Sequence, residues 1–215
     1  VKRNIVNLYD DDLKKYDLEY HSFTSPIYSH IPAFLSSRNK MLKFSSIKKG
    51  GRYSNRLSSL DGIEKSRRGN LCQNTSDPTV GLGLTSIPSD IKIYSSDTGL
   101  LITQILKDNE STSNDLYRNL IFNKLSINQG MFFENSVSQA LKGSGHSLYF
   151  HTFENQKAKY EIDFLVQRKG KLSPIEVKPS SYNSHVSLDC FLEKNKDRKN
   201  IGEPIIIYTK DLKAE

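Results

Sequence analysis

The chain has 215 residues, of which 36% are hydrophobic and 26% charged, and its formal net charge is +7. This length accommodates one large domain or two small ones. No run approaches the roughly 18 apolar residues of a membrane span, and no secretory signal is visible, so we expect a cytoplasmic protein with no membrane partner. Cys72 and Cys190 lie far apart and outside any C-x-x-C pair, which is typical of reduced thiols.

The positive charge is concentrated between Arg38 and Arg68. This segment holds ten basic residues against only Asp61 and Glu64, so the remainder of the chain is close to neutral. Such a concentration favours a polyanionic partner, and we expect DNA. The residues expected to contact its backbone are Arg52, Arg56, Lys65, Arg67 and Arg68.

The first hundred residues are predicted to be mostly helical. Residues 1–20 have the spacing of a short connecting helix, and Ile27, Ile31, Phe34 and Leu35 recur at helical intervals. Two further short helices are predicted, at 40–47 and from Leu57 to Gly69. Two β-like stretches follow, Leu71–Asn74 and Ile91–Tyr94, with a loop rich in proline and glycine between them. Three short helices before a β-hairpin are the order of a winged helix, so residues 21–100 are interpreted as a winged-helix-like segment.

The second half of the chain is predicted to form an α/β domain. Residues 101–129 are interpreted as a helical and polar connector. From residue 130 to 215 the pattern is helix, strand, strand, strand, helix, strand.

A hairpin within this domain carries the candidate chemistry. Residues 160–178 form two strand-like runs around Lys169–Gly170, where glycine permits the positive φ of a tight turn. A two-residue turn places Asp163 opposite Glu176 and Glu161 opposite Lys178. Because alternate strand residues share a face, these four polar side chains lie on one face. The opposite face, which is the core, consists of Ile162, Phe164, Ile175 and Val177.

Asp163 and Glu176 form a candidate metal site. Directly opposed residues have Cβ atoms about 4.5–5.5 Å apart, and two carboxylates so close repel one another unless a cation lies between them. Mg²⁺ needs only one or two carboxylates plus waters. Lys178 stands about 6.7 Å further along the strand, where its ammonium can orient an attacking water or offset developing charge. Pro174 disfavours a regular ladder, and a bulge there would change the pairing.

A third acid is expected from the preceding helix. In the helix predicted over Gln129–Leu141, Phe133, Val137, Ala140 and Leu141 form an apolar face, and Glu134 lies on its edge, from where it can lean toward the sheet. Plain structural explanations exist for each residue alone: Glu161 and Lys178 fit an ordinary cross-strand ion pair, and Glu134 fits a solvated helix position. The combination of D-x₁₂-E-x-K on a hairpin with a preceding helical glutamate favours a site.

The pattern Asp163…Glu176-Val177-Lys178 resembles the signature of the PD-(D/E)XK nuclease superfamily, with Glu134 in the position of its first-helix acid. Ile162 stands where that signature often has proline. The resemblance implies a restriction-endonuclease-like fold for residues 130–215. It implies that Glu134, Asp163 and Glu176 bind Mg or Mn, and that Lys178 completes the catalytic group.

A longer resemblance covers nearly the whole chain. The segments that carry it are Ile5–Tyr9, Ile31–Leu35, Lys92–Leu101, Phe133–Asn135, Glu161–Phe164 and Pro174–Lys178. Together they are similar to the C-terminal region of a prokaryotic AAA-type ATPase family, in which a winged-helix segment precedes a nuclease-like domain of unknown function. The resemblance implies an ATPase module before Val1. The chain itself has no G-x-x-x-x-G-K-[ST] loop, so we expect no ATP site within it.

Two hypotheses follow for the function. In the first, the chain is a metal-dependent DNA nuclease module. In the second, it is a non-catalytic module of an ATPase that binds DNA or protein, and the acidic group is a relic or a structural ion pair. Both hypotheses are compatible with an oligomer.

Overall fold

The computed structural model describes residues 1–20, 23–47, 53–106, 130–155, 158–178 and 185–208, with the backbone alone for residues 19, 20 and 53–55. The helices in these ranges are α1 Lys2–Tyr20, α2 Thr24–Ser36, α3 Phe44–Ile47, α4 Tyr53–Lys65, α5 Thr98–Ile105, α6 Gly130–Gly143 and α7 Val186–Lys194. The strands are β1 Gly69–Thr75, β2 Ser86–Ser95, β3 Leu148–Asn155, β4 Ala158–Arg168, β5 Lys171–Lys178 and β6 Ile205–Tyr208. Within these ranges, no helix combines the length and apolar character that a bilayer span requires.

The mixed α/β class is confirmed, and so is the order of elements in the second half of the chain. The series α6, β3, β4, β5, α7, β6 follows the predicted α-β-β-β-α-β order. The two strands predicted before it are the longer β1 and β2. The helix predicted over 40–47 is shorter, because Met41 pairs with Lys92 in an isolated β-bridge before α3 begins. The winged-helix and restriction-endonuclease-like arrangements stay predictions, and most of the 101–129 connector lies outside the described residues.

The chain divides into two compact units, each made of two segments. Unit 1 consists of residues 1–71 and 92–139, and unit 2 of residues 72–91 and 140–215. The division therefore passes through β1, β2 and α6. The predicted domain boundaries at residues 20, 100 and 129 stay predictions.

In unit 1, the apolar face of α2 forms the centre of a helical core. Ile27, Ile31 and Leu35 are fully buried, as their helical spacing predicts. The N-terminus of α2 is capped by α1, since the Asp17 carboxylate accepts hydrogen bonds from the amides of Thr24 and Ser25 at 2.7 and 2.8 Å. This acceptor satisfies two of the amides that a helix leaves unpaired, and its charge opposes the positive end of the helix dipole.

Also in unit 1, Asn135 attaches the start of α6 to the end of β2. Its side-chain oxygen accepts from the amide of Ser95 at 2.7 Å, and its nitrogen donates to the Ser95 carbonyl at 3.0 Å. The amide group thus imitates a neighbouring strand for one residue of β2. The same side-chain nitrogen donates to the Thr98 hydroxyl at 2.9 Å, at the start of α5. The orientation of α6 about its axis is fixed by these bonds.

The strands form one six-stranded mixed sheet in the order β2-β1-β3-β4-β5-β6. In unit 2, β3 pairs in parallel with the second half of β1, and β3, β4 and β5 are successive antiparallel neighbours. The final strand β6 is parallel to β5. A parallel neighbour requires a crossover connection, which α7 supplies.

Pro174 interrupts the sheet on one side of β5 only. Its register with β4 is regular at Leu165, so the bulge that Pro174 could have caused in this pair is absent. On the β6 side, Leu172 pairs with Ile201 and the next paired residue is Ile175 with Ile205. Leu172 donates its amide to the Asn200 carbonyl on the β6 side, and the nitrogen of Pro174, two residues further on, faces the same side. Because it has no hydrogen to donate, the pairing with β6 has a gap there.

The core of unit 2 lies between the sheet and α7. Ile162, Leu165 and Leu172 from the strands pack with Leu188 and Phe191 from the helix. Apolar burial of this kind stabilises by about 25 cal/mol per Å² removed from water. His151 is also buried here: its Nδ1 donates to the Thr75 carbonyl at 2.7 Å, and its ring stacks on Phe153.

Replacement of Gly62 by alanine is expected to destabilise unit 1. Alanine favours a helix over glycine by about 1 kcal/mol, but a Cβ at Gly62 would lie 2.6 Å from Thr24 Oγ1 and 2.7 Å from Tyr16 Cε1. We expect Gly62→Ala to lower the free energy of unfolding by about 1–3 kcal/mol in urea denaturation, as overpacking does. The control is Gly143→Ala, where the added Cβ would have no neighbouring atom within 4 Å. A gain in stability for Gly62→Ala would contradict this packing.

The stability of unit 2 is expected to fall below neutral pH because of His151. Burial lowers the pKa of His151 from its usual value, against a smaller opposing effect of the Thr75 hydrogen bond. A histidine with a lowered folded-state pKa contributes stability above its unfolded pKa, near 6.5. That contribution is lost as pH falls toward the folded-state pKa, at no more than about 1.4 kcal/mol per pH unit. Denaturation between pH 7.5 and 5 is expected to show a steeper loss for the wild type than for His151→Gln. Equal slopes would show that His151 is not the responsible group.

Candidate functional site

The β4–β5 hairpin has the turn and the register that the sequence predicts. Lys169 and Gly170 both have positive φ, 51° and 74°, which is the combination that a type I′ turn requires. The ladder is regular from Arg168 opposite Lys171 to Phe164 opposite Ile175. The two-residue turn and its alignment are therefore confirmed over five pairs.

Beyond Phe164 the two strands no longer form a regular ladder. Asp163 Oδ2 accepts a hydrogen bond from the backbone amide of Val177 at 2.8 Å. That amide belongs to the peptide bond between Glu176 and Val177, so the Asp163 carboxylate lies against β5 next to Glu176. The expected proximity of Asp163 and Glu176 arises from this side-chain bond and not from a continued ladder.

A bulge in β4 accounts for the end of the regular ladder beyond Phe164. Tyr149 pairs with Leu165, but His151 pairs with Ile162, so β4 has one extra residue between these positions. The strict alternation predicted for β4 is wrong here, because a bulge re-aims the side chains on one side of it. Ile162 and Leu165, which alternation puts on opposite faces, pack in the same core. Asp163 is one of the two residues between them.

Glu176 is buried and only half satisfied. Its Oε1 pairs with Lys178 Nζ at 2.6 Å, and its side chain is 6% exposed. Its Oε2 is buried and has no hydrogen-bond partner among the described residues. A buried polar atom without a partner costs about 1–3 kcal/mol, and more when it is charged. Glu176 therefore has an oxygen to offer to a donor or a cation.

Lys178 lies where the sequence predicts it, on the same face of β5 as Glu176. Both residues are held from the other side by β6, through the parallel pairs of Glu176 with Ile206 and Lys178 with Tyr208. A lysine ammonium has three donors, and Glu176 occupies one of them. The alternative of a cross-strand ion pair between Glu161 and Lys178 is not what the described residues show, since Lys178 pairs with Glu176 on its own strand.

Glu134 has a different environment, in unit 1. It is buried on α6, where Lys40 Nζ forms an ion pair with its Oε1 and the Tyr94 hydroxyl donates to its Oε2 at 3.3 Å. Lys40 reaches it from a left-handed backbone conformation, φ 51°. The alternative of a solvated Glu134 is therefore wrong.

The apolar face predicted for α6 is also not its most buried one. Phe133 and Val137 are only half-buried, whereas Met131, Glu134, Asn135 and Ser138 are buried. The polar bonds of Asn135 and Glu134 rotate the helix away from the orientation that its apolar pattern alone favours. Neither Lys40 nor Tyr94 was predicted as a partner, and no local motif connects them to a glutamate so far along the chain.

No three histidine, cysteine, aspartate or glutamate side chains converge as a metal-binding group within the described ranges. Asp163 and Glu176 supply two carboxylates in unit 2, and Glu134 belongs to unit 1. A cavity of about 470 Å³ in unit 2 is lined by residues 81–84, 145–147, Tyr149 and 165–167. None of Asp163, Glu176 and Lys178 lines it.

The basic residues in and after α4 that are expected to bind DNA differ in burial and in ion pairing. Arg68 is largely buried: it pairs with Asp12 at 3.1 Å, and its guanidinium lies 4.4 Å from the centre of the Tyr9 ring. Lys65 pairs with Asp61 at 2.8 Å on the helix surface. Arg67 is exposed and Arg56 is half-buried. Arg52 lies outside the described residues.

The β4–β5 hairpin of the mixed sheet thus holds two acids and a lysine, Asp163, Glu176 and Lys178, close together. Residues 129–215 are similar to a family described as a domain of unknown function, DUF4143. The four residues predicted to be catalytic all lie in this stretch, and the five predicted to contact DNA lie before it. No curated protein matches the chain, and no solved structure does.

Truncation of the Glu134–Lys40 pair is expected to be costly from either side. Glu134→Leu leaves an ammonium in a mostly buried place, and loss of one partner of a buried pair costs about 3–5 kcal/mol. The double variant Glu134→Leu/Lys40→Met is expected to recover part of that loss. Urea denaturation of the wild type, both single variants and the double variant measures the coupling. Additive losses would show that the two side chains do not interact.

Proposed function

We propose that Asp163, Glu176 and Lys178 form the catalytic group of a nuclease module that hydrolyses DNA phosphodiesters with Mg²⁺ or Mn²⁺. The observation that carries the proposal is the buried Glu176 Oε2, which has no hydrogen-bond partner among the described residues. The carboxylate of Asp163 lies against the adjacent peptide bond. Burial of a carboxylate oxygen is tolerated when a cation compensates its charge.

The donor set suits a hard divalent cation. Mg²⁺ prefers oxygen ligands and usually keeps several waters, so one or two carboxylates are enough for it. Asp163 and Glu176 would hold the ion, and Glu134 as a third ligand stays a prediction. Bound there, the ion would supply Lewis-acid chemistry by polarising a phosphoryl oxygen and promoting the ionisation of a water.

The chain's own residues would perform three tasks. Asp163 is positioned by the Val177 amide, so its carboxylate does not need to be ordered when a substrate binds. Glu176 is held in place by Lys178 and by the β6 pairing of its strand. Lys178 has two donors beyond its bond to Glu176, and these would orient a water or stabilise negative charge on the phosphate in the transition state.

A second candidate function is a non-catalytic binding module. The observation that favours it is the absence of a three-residue metal group in the described ranges, together with the closed Lys178–Glu176 pair. On this alternative, Lys178 is the permanent counter-ion of Glu176. An ATPase module before Val1 would be the natural partner on either proposal, and it rests on the resemblance of the sequence.

Glu176→Gln is expected to abolish metal-dependent cleavage. We expect supercoiled plasmid or branched DNA to be cut by the wild type with Mn²⁺ or Mg²⁺ and not with EDTA, and Glu176→Gln to cut at least roughly 100-fold more slowly. The matched control is Glu193→Gln, an exposed glutamate of the same unit.

The melting temperature gives a second readout. Mn²⁺ is expected to raise it in the wild type and in Glu193→Gln but not in Glu176→Gln, because a ligand that binds only the folded state stabilises it. Equal background cleavage in all three proteins, with no metal-dependent rise, would refute the nuclease and leave the binding module. Salt-sensitive DNA binding that is unchanged in Asp163→Ala would then support that module.

A further inference from the structure

A patch of exposed positive charge lies at the tip of the β4–β5 hairpin. Its members are Arg168, Lys169 and Lys171 in the hairpin, and Arg198 and Lys199 in the loop after α7. The loop is attached beside the hairpin by two backbone hydrogen bonds of 2.8 Å, from Leu172 to the Asn200 carbonyl and from Gly202 to the Leu172 carbonyl. These five side chains are called the hairpin-tip patch.

The side chains of the hairpin-tip patch form no ion pairs among the described residues. None of its five side chains lies in an ion pair with any residue of the described ranges, although Asp197 and Glu203 are exposed in the same loop. The Thr79 hydrogen bonds lower the pKa of the Asp77 carboxyl, and the charge of Arg198 adds to that effect. Other exposed lysines do meet an acid, as Lys14 does with Asp10 at 2.6 Å and Lys196 with Glu193 at 2.7 Å. The five cations outnumber the three acids Asp77, Asp197 and Glu203, so the hairpin-tip patch keeps a net excess of positive charge that can attract an anionic partner.

The turn residue adds an independent observation. Lys169 occupies the first position of the type I′ turn with φ 51°, a place where asparagine, aspartate or glycine is favoured. A lysine there is less favourable for the turn than those residues. The turn requires positive φ at this position but does not require a lysine, so a lysine there is a reason to look for a function.

We propose that the hairpin-tip patch holds the phosphate backbone of the nucleic acid that the proposed hairpin site cleaves. The inference rests on the proposed function. On β5, Glu176 stands five residues from Lys171, about 16 Å at 3.3 Å per residue. A duplex rises about 3.4 Å per base pair, so phosphates about five base pairs from the scissile bond lie at this distance. Arg168 and Arg198 add planar guanidinium groups, which suit bidentate contacts to phosphate.

The test is binding without cleavage. Fluorescence anisotropy with a labelled 30-base-pair duplex in EDTA, over a series of salt concentrations, compares the wild type with Lys169→Glu/Lys171→Glu. The control is Lys14→Glu/Lys196→Glu, which has the same change in net charge at lysines that already have acidic partners. We expect the tip variant to bind at least about tenfold more weakly and its slope of log affinity against log salt to fall by about two. Equal losses in both variants, or no loss in the tip variant, would overturn the proposal.

Lys169→Asn separates binding from folding. Asparagine before glycine suits the type I′ turn, so the melting temperature is expected to rise while DNA affinity falls. Unchanged affinity in this more stable variant would remove Lys169 from the contact and overturn the proposal. Displacement of DNA by polyglutamate at equal charge concentration would instead assign the patch to an acidic protein surface. Because the assay contains no metal, intact patch-dependent binding with no cleavage by the wild type would reject the nuclease alone.

Discussion

The hydrogen bond from the Val177 amide to the Asp163 carboxylate is the contact on which the candidate site depends. It occurs where the bulge in β4 ends the regular ladder with β5, so an aspartate side chain takes an amide of the neighbouring strand. The bond places the Asp163 carboxylate beside the peptide of Glu176. The pairing of β5 with β6 holds that peptide from the other side. The geometry of the acids is thus set mainly by the backbone.

The two buried glutamates illustrate different uses of the same residue. Glu134 has a lysine and a tyrosine hydroxyl for its two oxygens, which is the environment of a structural group that connects parts of unit 1. Glu176 has one lysine and one unsatisfied oxygen. A buried polar network is stable when every member is satisfied and costly when one is not. The incomplete network is therefore the better candidate for a binding function.

The parts of this structure that depend on local patterns could be read from the sequence. The Lys169–Gly170 turn fixed the register of five pairs, and the order of helices and strands followed from periodicity. The bulge at Asp163 could not be read, because nothing in the residues 162–165 distinguishes it from a regular strand. Lys40 and Glu134 are 94 residues apart, and such a pair is set by tertiary packing. The orientation of α6 was missed for the same reason: buried polar bonds overrode its apolar stripe.

Pro174 has a consequence for the alignment of the last strand. Between Leu172 and Glu176 there are four steps on β5, while their partners Ile201 and Ile206 are five steps apart. The additional residue bridges the place where an imino acid offers nothing to an opposing carbonyl. A shift of β6 along its axis by two residues would place a β6 carbonyl against the proline ring. That carbonyl would be buried without a hydrogen-bond donor. Pro174 thus fixes the register of the edge strand β6, and this register keeps the isoleucines of β6 paired with the segment of β5 that carries Glu176 and Lys178.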